Sequence, residues 1–134
     1  DMPPGTGDTQ LTFAQEVKVD GAIIVSTPQE LALQDVKRGI AMFDKLNVKI
    51  IGLVDNMSFF IGDDGKKYSI FGDGGVKKTS MEFSKNFLGS IPINSDVGKF
   101  GDQGKPIVES KPEHEISKIY LNFAKQIKSI YLGD

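Results

Sequence analysis

The opening octet, Asp1-Met2-Pro3-Pro4-Gly5-Thr6-Gly7-Asp8, combines residue types suited to meeting a phosphate and its counter-ion. A carboxylate where a strand ends can hold Mg²⁺ through water, and Pro-Pro-Gly supplies stiff backbone with few side chains in the way of a ligand. Gly5 and Gly7 are the points of closest approach. The same residues are ordinary turn formers, so the octet fits a phosphate-sensing loop and also a surface turn.

A second candidate is Asn56, at the end of a second buried strand, Lys49-Ile50-Ile51-Gly52-Leu53-Val54. In an open parallel sheet, ligands sit beyond the carboxyl ends of the strands, so Ser26-Thr27-Pro28, Asp55-Asn56-Met57-Ser58 and Pro92-Ile93-Asn94 are the segments placed to meet one. An amide there offers both a donor and an acceptor, the pair needed to read an adenine edge. An Asn that closes its own turn is the other reading.

Other groups carry less. Gly72-Asp73-Gly74-Gly75-Val76-Lys77-Lys78-Thr79 nearly spells G-x-x-x-x-G-K-[ST], but Lys77 stands where that loop needs glycine to wrap phosphate, so a glycine-rich lead into a helix fits better. His114, the single histidine, reads as a solvated residue, and Asp63-Asp64 as a hydrated turn. Lys118, Lys125 and Lys128 beside an Ile, Phe and Tyr stripe suit a membrane-surface helix or, with a sheet to cover, a packing helix.

These loops need strands and helices to hold them. Asp8 or Thr9 can cap a short helix through about Val17. Ala22-Ile23-Ile24-Val25 is a continuous apolar run that predicts a strand covered on both faces, as in parallel sheets. Thr27 with Glu30 three residues on forms a capping-box pattern with Pro28 at the first helical position, and Leu33, Val36, Ile40 and Phe43 extend an amphipathic helix over 28–46. Residues 49–54 give a second strand, so strand, helix and strand make one right-handed parallel crossover. Gly62-Asp63-Asp64-Gly65 is a hairpin tip between Phe59-Phe60-Ile61 and Tyr68-Ser69-Ile70-Phe71. A helix from about Gly75 to Asn86 leads into a third strand, Phe87-Leu88-Gly89-Ser90-Ile91, that stops at Pro92. Residues 94–112 are loop-rich with one helical turn. A final helix carries Ile116, Ile119, Phe123, Ile127 and Ile130, with Glu113 and Glu115 at its positive end.

The 134 residues suit one domain with a real core. A net charge of -2 with 25% charged residues gives no broad basic field and argues against nonspecific nucleic-acid binding. The absence of cysteine excludes disulfides, thiolate metal sites and a cysteine nucleophile within these residues. No apolar run approaches the roughly 20 residues that span a bilayer, and no signal-peptide pattern opens the sequence, so a cytoplasmic protein is expected. The first residue falls inside a motif, which points to a fragment of a longer chain.

Six collinear stretches resemble the Mrp/ApbC-type iron-sulfur cluster carrier ATPases, a branch of the MinD/ParA-like P-loop proteins. They are D-x-P-P-G-T-G-D (Asp1–Asp8), S-T-P-Q-E (Ser26–Glu30), D-N-M-S (Asp55–Ser58) with the aromatic residues after it, I-F-G-D-G-G (Ile70–Gly75), L-G-S-I-P (Leu88–Pro92) and G-D-Q-G-K-P-I-V (Gly101–Val108). The resemblance implies an α/β three-layer sandwich with a mostly parallel sheet. Residues 1–134 would form a single partial P-loop ATPase domain, truncated at its N-terminal side, from the switch II loop to the C-terminal helix. It further implies a homodimer that binds ATP and Mg²⁺ and transfers iron-sulfur clusters to apo-proteins, with no nucleic-acid or membrane partner. By position, Asp1 resembles the acid that meets Mg²⁺ through water, and Pro4 and Gly5 the backbone near the γ-phosphate. Asn56 resembles the adenine-reading residue, and Pro92, Ile93 and Asn94 the loop closing over the base.

The family's G-K-G-G-V-G-K-[ST] loop would lie upstream of Asp1, so these residues alone are expected to be inactive as an ATPase. Many relatives also carry C-x-x-C after N-M-S, where this chain has Phe59-Phe60-Ile61-Gly62-Asp63-Asp64-Gly65. No thiolate for a cluster is available there. Two other readings stay open on these residues: a MinD/ParA-like positioning switch acting at a membrane or on DNA, and a non-enzymatic module that keeps the fold and binds a partner.

Overall fold

The computed structural model describes Met2 and residues 7–133. Asp1, Pro4 and Gly5 therefore lie outside the described residues. Elements run in the order α1 (Asp8–Glu16), β1 (Ala22–Ser26), α2 (Glu30–Lys45), β2 (Ile50–Asn56), β3 (Phe60–Ile61), β4 (Lys67–Tyr68), α3 (Gly75–Glu82), β5 (Phe87–Ile91), α4 (Ser95–Asp102), α5 (Ile107–Ser110) and α6 (Glu115–Leu132). Strands β1, β2 and β5 form a parallel sheet with β2 in the middle, and β3 with β4 forms a separate antiparallel hairpin.

Apolar faces decide how the helices stack on this sheet. Val36, Ile40 and Phe43 of α2 and Val76 of α3 bury against Ile50 and Leu53 on one face, with Ala22 and Ile24 of β1 packed beside them. On the other face, Ile107 of α5 and Ile116 and Phe123 of α6 cover Val54, Leu88 and Ile91. The result is the expected three-layer α/β/α arrangement, with β2 buried on both sides apart from Asn56 at its end.

Strand β1 departs from expectation. Its side chains alternate in burial, and Ile23 and Val25 are 40% and 58% exposed. The cause is the path of α6, which lies over β5 and reaches the β1 side only near its end, where Tyr131 donates its hydroxyl to the Asp20 carbonyl at 2.8 Å. A groove of about 1030 Å³ runs beside β1, lined by Phe13, Ile23, Val25, Arg38 and Met42 among others. Among the described residues no strand pairs with the outer edge of β1.

Three local expectations are also corrected. Gln29, not Thr27, precedes α2 as its N-cap, and the Thr27 hydroxyl donates to the Gln29 side chain at 3.2 Å, so the capping box does not form and Pro28 stays outside the helix. Helix α3 ends at Glu82 because Ser84 turns left-handed (φ 55°) and the Lys85 amide closes back on the Ser80 carbonyl. Residues 94–112 hold two helices rather than one turn. Asn94 caps α4 through Oδ1, which accepts from the Asp96 amide at 2.9 Å, and Val97 and Phe100 anchor that helix on the α5–α6 side of the core.

Candidate functional site

Parallel pairing places the ends of β1, β2 and β5 in one row. Ser26 pairs with Asp55 and Asp55 with Ser90, while Asn56 pairs with Ile91. Alternation along the strands turns Asp55 toward the α2–α3 layer and Asn56 toward the α4–α6 layer. Beyond the strand ends, two backbone bonds fasten the exit of β2 to the exit of β5. The Ser58 amide donates to the Ile91 carbonyl at 3.0 Å, and the Ile93 amide donates to the Phe59 carbonyl at 2.7 Å. Asn56 and Pro92-Ile93-Asn94 are thereby brought to one partly exposed corner of the sheet.

Within that corner Asn56 does what a turn-closing Asn does: its Oδ1 accepts from the Met57 amide at 3.0 Å, with Met57 left-handed at φ 51°. The bond uses one of two lone pairs, so among the described residues the amide keeps an acceptor site and its two N–H donors open. Asn94 is committed differently, since its oxygen caps α4. Its loop is braced further by His114, which the sequence suggests is solvated. The His114 side chain is 19% exposed, Nδ1 accepts from the Ile116 amide at 3.1 Å to cap α6, and Nε2 faces Asp96 at 3.2 Å. The neutral tautomer with the proton on Nε2 satisfies both contacts.

Asp55 carries no role of its own in the sequence motifs that contain it. It is 2% exposed at the end of an otherwise apolar strand. One oxygen accepts from the Ser58 hydroxyl at 2.8 Å, and Oδ1 has no partner among the described residues. Burial pushes its carboxyl above the ordinary value of 3.8; the Ser58 bond pulls it back, Asp73 raises it and Lys67 lowers it. The signal was available in the sequence, as a lone acid directly before Asn56 in a run of Ile, Leu and Val.

This shift fixes a sign. The folded carboxyl holds its proton to a higher pH than the unfolded one, so the favourable contribution is complete below 3.8 and is lost as pH rises through the folded value. Asp55→Asn removes the titration. Urea unfolding between about pH 4 and about pH 7 should therefore show the variant gaining on the parent as pH rises, then running parallel above the folded value. Profiles parallel throughout would mean that Asp55 titrates alike in both states.

The remaining candidates separate from this corner. In the Gly72–Thr79 run, a Cβ at Gly72 would lie 2.9 Å from the Pro28 carbonyl, and Thr79 is 4% exposed with its hydroxyl on the Gly75 carbonyl. A carbonyl faces the place where a phosphate would need donors, and the hydroxyl is used. The run is a close-packed lead into α3. In the hairpin, Asp64 accepts from the Lys66 amide and the Tyr68 hydroxyl, and these bonds, the Tyr68 one foremost, hold its carboxyl below the ordinary range. Among the described residues no group of three or more His, Cys, Asp or Glu is placed to hold a metal ion. The α6 stripe packs on the sheet through Ile116 and Phe123, and no described helix is long and apolar enough to cross a membrane.

Comparison with known proteins supplies the context. Residues 1–128 match the model of the NUBPL iron-transfer P-loop NTPases. The iron-sulfur cluster carrier protein of Aquifex aeolicus is 44% identical over 97% of this chain and 36% of its own length. The iron-sulfur cluster transfer protein NUBPL of Dictyostelium discoideum is 46% identical over 95% of this chain and 40% of its own length. This chain thus spans little more than a third of the curated relatives it matches. Among solved structures, a nucleotide-binding protein from Archaeoglobus fulgidus in complex with ADP superposes with a TM-score of 0.72 at 36% identity, covering 86% of this chain and 46% of that one. The cell division ATPase MinD of Pyrococcus furiosus superposes at 0.71 with 20% identity over 97% of this chain and 50% of its own, a likeness of fold. With the three-layer sheet, the parallel order and a family match over nearly its whole length, the chain belongs to the NUBPL-type iron-transfer P-loop NTPases, the iron-sulfur cluster carrier family.

Proposed function

We propose that these residues form the base-binding side of an ATP-dependent iron-sulfur cluster carrier. In this reading Asn56 reads the adenine edge, and Pro92-Ile93-Asn94 closes over the base. The observation that carries it is the pair of backbone bonds clamping the Asn56 turn to the β5 exit, which leaves the Asn56 amide half-exposed at the carboxyl end of the sheet. An ADP complex of a protein 36% identical supports the same ligand class.

The phosphates and Mg²⁺ would sit toward the opening octet, with Asp1 holding the metal through water and Pro4 and Gly5 lending backbone near the γ-phosphate. Bound Mg²⁺ would offset phosphate charge during hydrolysis. The 134 residues contain no G-x-x-x-x-G-K-[ST] run, so polypeptide outside them would complete the phosphate cradle. Clusters are the cargo, passed to apo-proteins by a homodimer in the cytoplasm. With no cysteine in the sequence, none of these residues can offer a thiolate to that cargo, and its ligands must come from elsewhere.

Calorimetry of ADP binding to the complete protein tests the base assignment. Asn56→Ala should weaken ADP about tenfold, the scale of one lost amide contact pair. Its unliganded melting temperature should change little, because the side chain is half-exposed at a turn. Unchanged ADP affinity would remove Asn56 from the site.

A further inference from the structure

We propose that the Asp55 carboxylate and the Ser58 hydroxyl form a latch that fixes how the Asn56 amide meets the base, making Asp55 a positioning residue for base selectivity. The proposal rests on the reading of Asn56 given above.

Strand β2 is apolar from Ile50 to Val54 except for Gly52, and Asp55, at 2% exposure, is as buried as they are. An ionisable group so placed costs stability that an apolar residue would not. Packing therefore does not account for it; its bond does. Asp55 accepts from Ser58 at 2.8 Å across a turn whose intervening residues are Asn56 and Met57. Inside that closed turn, Met57 is held left-handed and its amide pins the Asn56 oxygen. Ser58 also donates its amide to Ile91, so the residue gripped by Asp55 is the one that joins β2 to the β5 exit. Asp55 faces the α2–α3 layer, opposite Asn56, so it acts on the base through the turn and not by touching it.

Asp73, in the loop before α3, and Lys67, in the hairpin, both act electrostatically on Asp55, with opposite sign.

If the latch sets the angle of the amide, breaking it should damage discrimination between bases more than the affinity borne by phosphates, which is common to all nucleotides. ADP and GDP affinities of the complete protein, measured by calorimetry, separate the two. Asn56→Ala is expected to abolish a preference for ADP. Ser58→Ala and Asp55→Val are expected to reduce that preference about five- to tenfold, chiefly by weakening ADP, as the loss of one hydrogen bond implies. Ser58→Thr and Asp55→Asn, which keep a donor and an acceptor, should retain most of it. Combining Ser58→Ala with Asp55→Val should cost no more than the worse of the two, since both remove one contact.

Should Asp55→Val fail to fold, Ser58→Ala carries the comparison with Ser58→Thr by itself. If Asn56→Ala loses the preference while Ser58→Ala and Asp55→Val keep it, or if these two weaken ADP and GDP in parallel, the latch is refuted and the base assignment stands. If the parent protein does not prefer ADP, or Asn56→Ala leaves the preference intact, the base assignment itself is wrong and the latch falls with it.

Discussion

Gly89→Val is expected to lower stability by about 3–5 kcal/mol. Two costs add. Gly89 sits in β5 at φ +148°, a conformation that side-chain-bearing residues rarely adopt, and a Cβ there would lie 2.8 Å from Cε1 of Phe123. Phe123 has little room to retreat, because it is 8% exposed and shares its cluster with Leu88, Ile107 and Ile116. Overpacking would therefore push α6 off β5 or shift β5 itself, and β5 delivers Pro92-Ile93-Asn94 to the corner beside Asn56. Urea unfolding should show the loss of stability, and Phe123→Leu, by opening space, should recover the steric part and leave the backbone part. Gly98 provides the contrast. It lies within α4 with nothing within 4 Å of an added Cβ, so Gly98→Ala should raise stability by about 0.5–1 kcal/mol. Equal effects at the two glycines would show that contact with Phe123 does not decide the cost.

The contrast between the glycines also marks what sequence can and cannot disclose. Gly98 and Gly101 fall in the stretch expected to be loop-rich, yet both lie in α4, because Val97 and Phe100 pack on the core and Asn94 supplies the cap. Tertiary burial outweighs a propensity penalty of about 1 kcal/mol per glycine. The run at residues 49–54 announced a second strand and became one, the middle strand of the sheet. The similar run at Ala22–Val25 also became a strand, but its outer face is open: a run of apolar residues reports the strand, whereas its cover depends on where a helix almost a hundred residues later crosses the sheet. At the candidate site, the turn residues Asn56 and Pro92–Asn94 were legible from their places after apolar runs. The two bonds joining those places were not, since backbone pairing between distant segments leaves no mark on residue type. Asp55 was legible in principle, as a charge where the strand pattern wants none. His114 was not, because a capping imidazole and a solvated one look alike in sequence.

Purified as residues 1–134, the chain is expected to show no Mg²⁺-dependent ATP turnover above the uncatalysed background. The reason is electrostatic and geometric. Phosphoryl transfer draws its catalysis from positioning and charge stabilisation around the β- and γ-phosphates, and backbone N–H donors with a lysine normally supply both. The G-K pairs of this sequence are followed by Lys67, Phe100 and Pro106, none of which offers the hydroxyl of that loop. The nearest imitation, Gly72–Thr79, has its threonine hydroxyl committed to the Gly75 carbonyl and its first glycine pressed against the Pro28 carbonyl. The base side can still act without the phosphate side: any ADP binding by this segment should be weak, and Asn56→Ala should remove it. Phosphate release from ATP, followed with and without Mg²⁺, is the measurement. Turnover that survives Asn56→Ala but disappears with Thr79→Ala would locate a phosphate site in the α3 lead and reverse the assignment of that loop. Background release from the segment, joined to turnover by a longer chain that supplies a G-x-x-x-x-G-K-[ST] loop, is the outcome expected if these residues provide the base side of a site whose phosphate side lies elsewhere in the polypeptide.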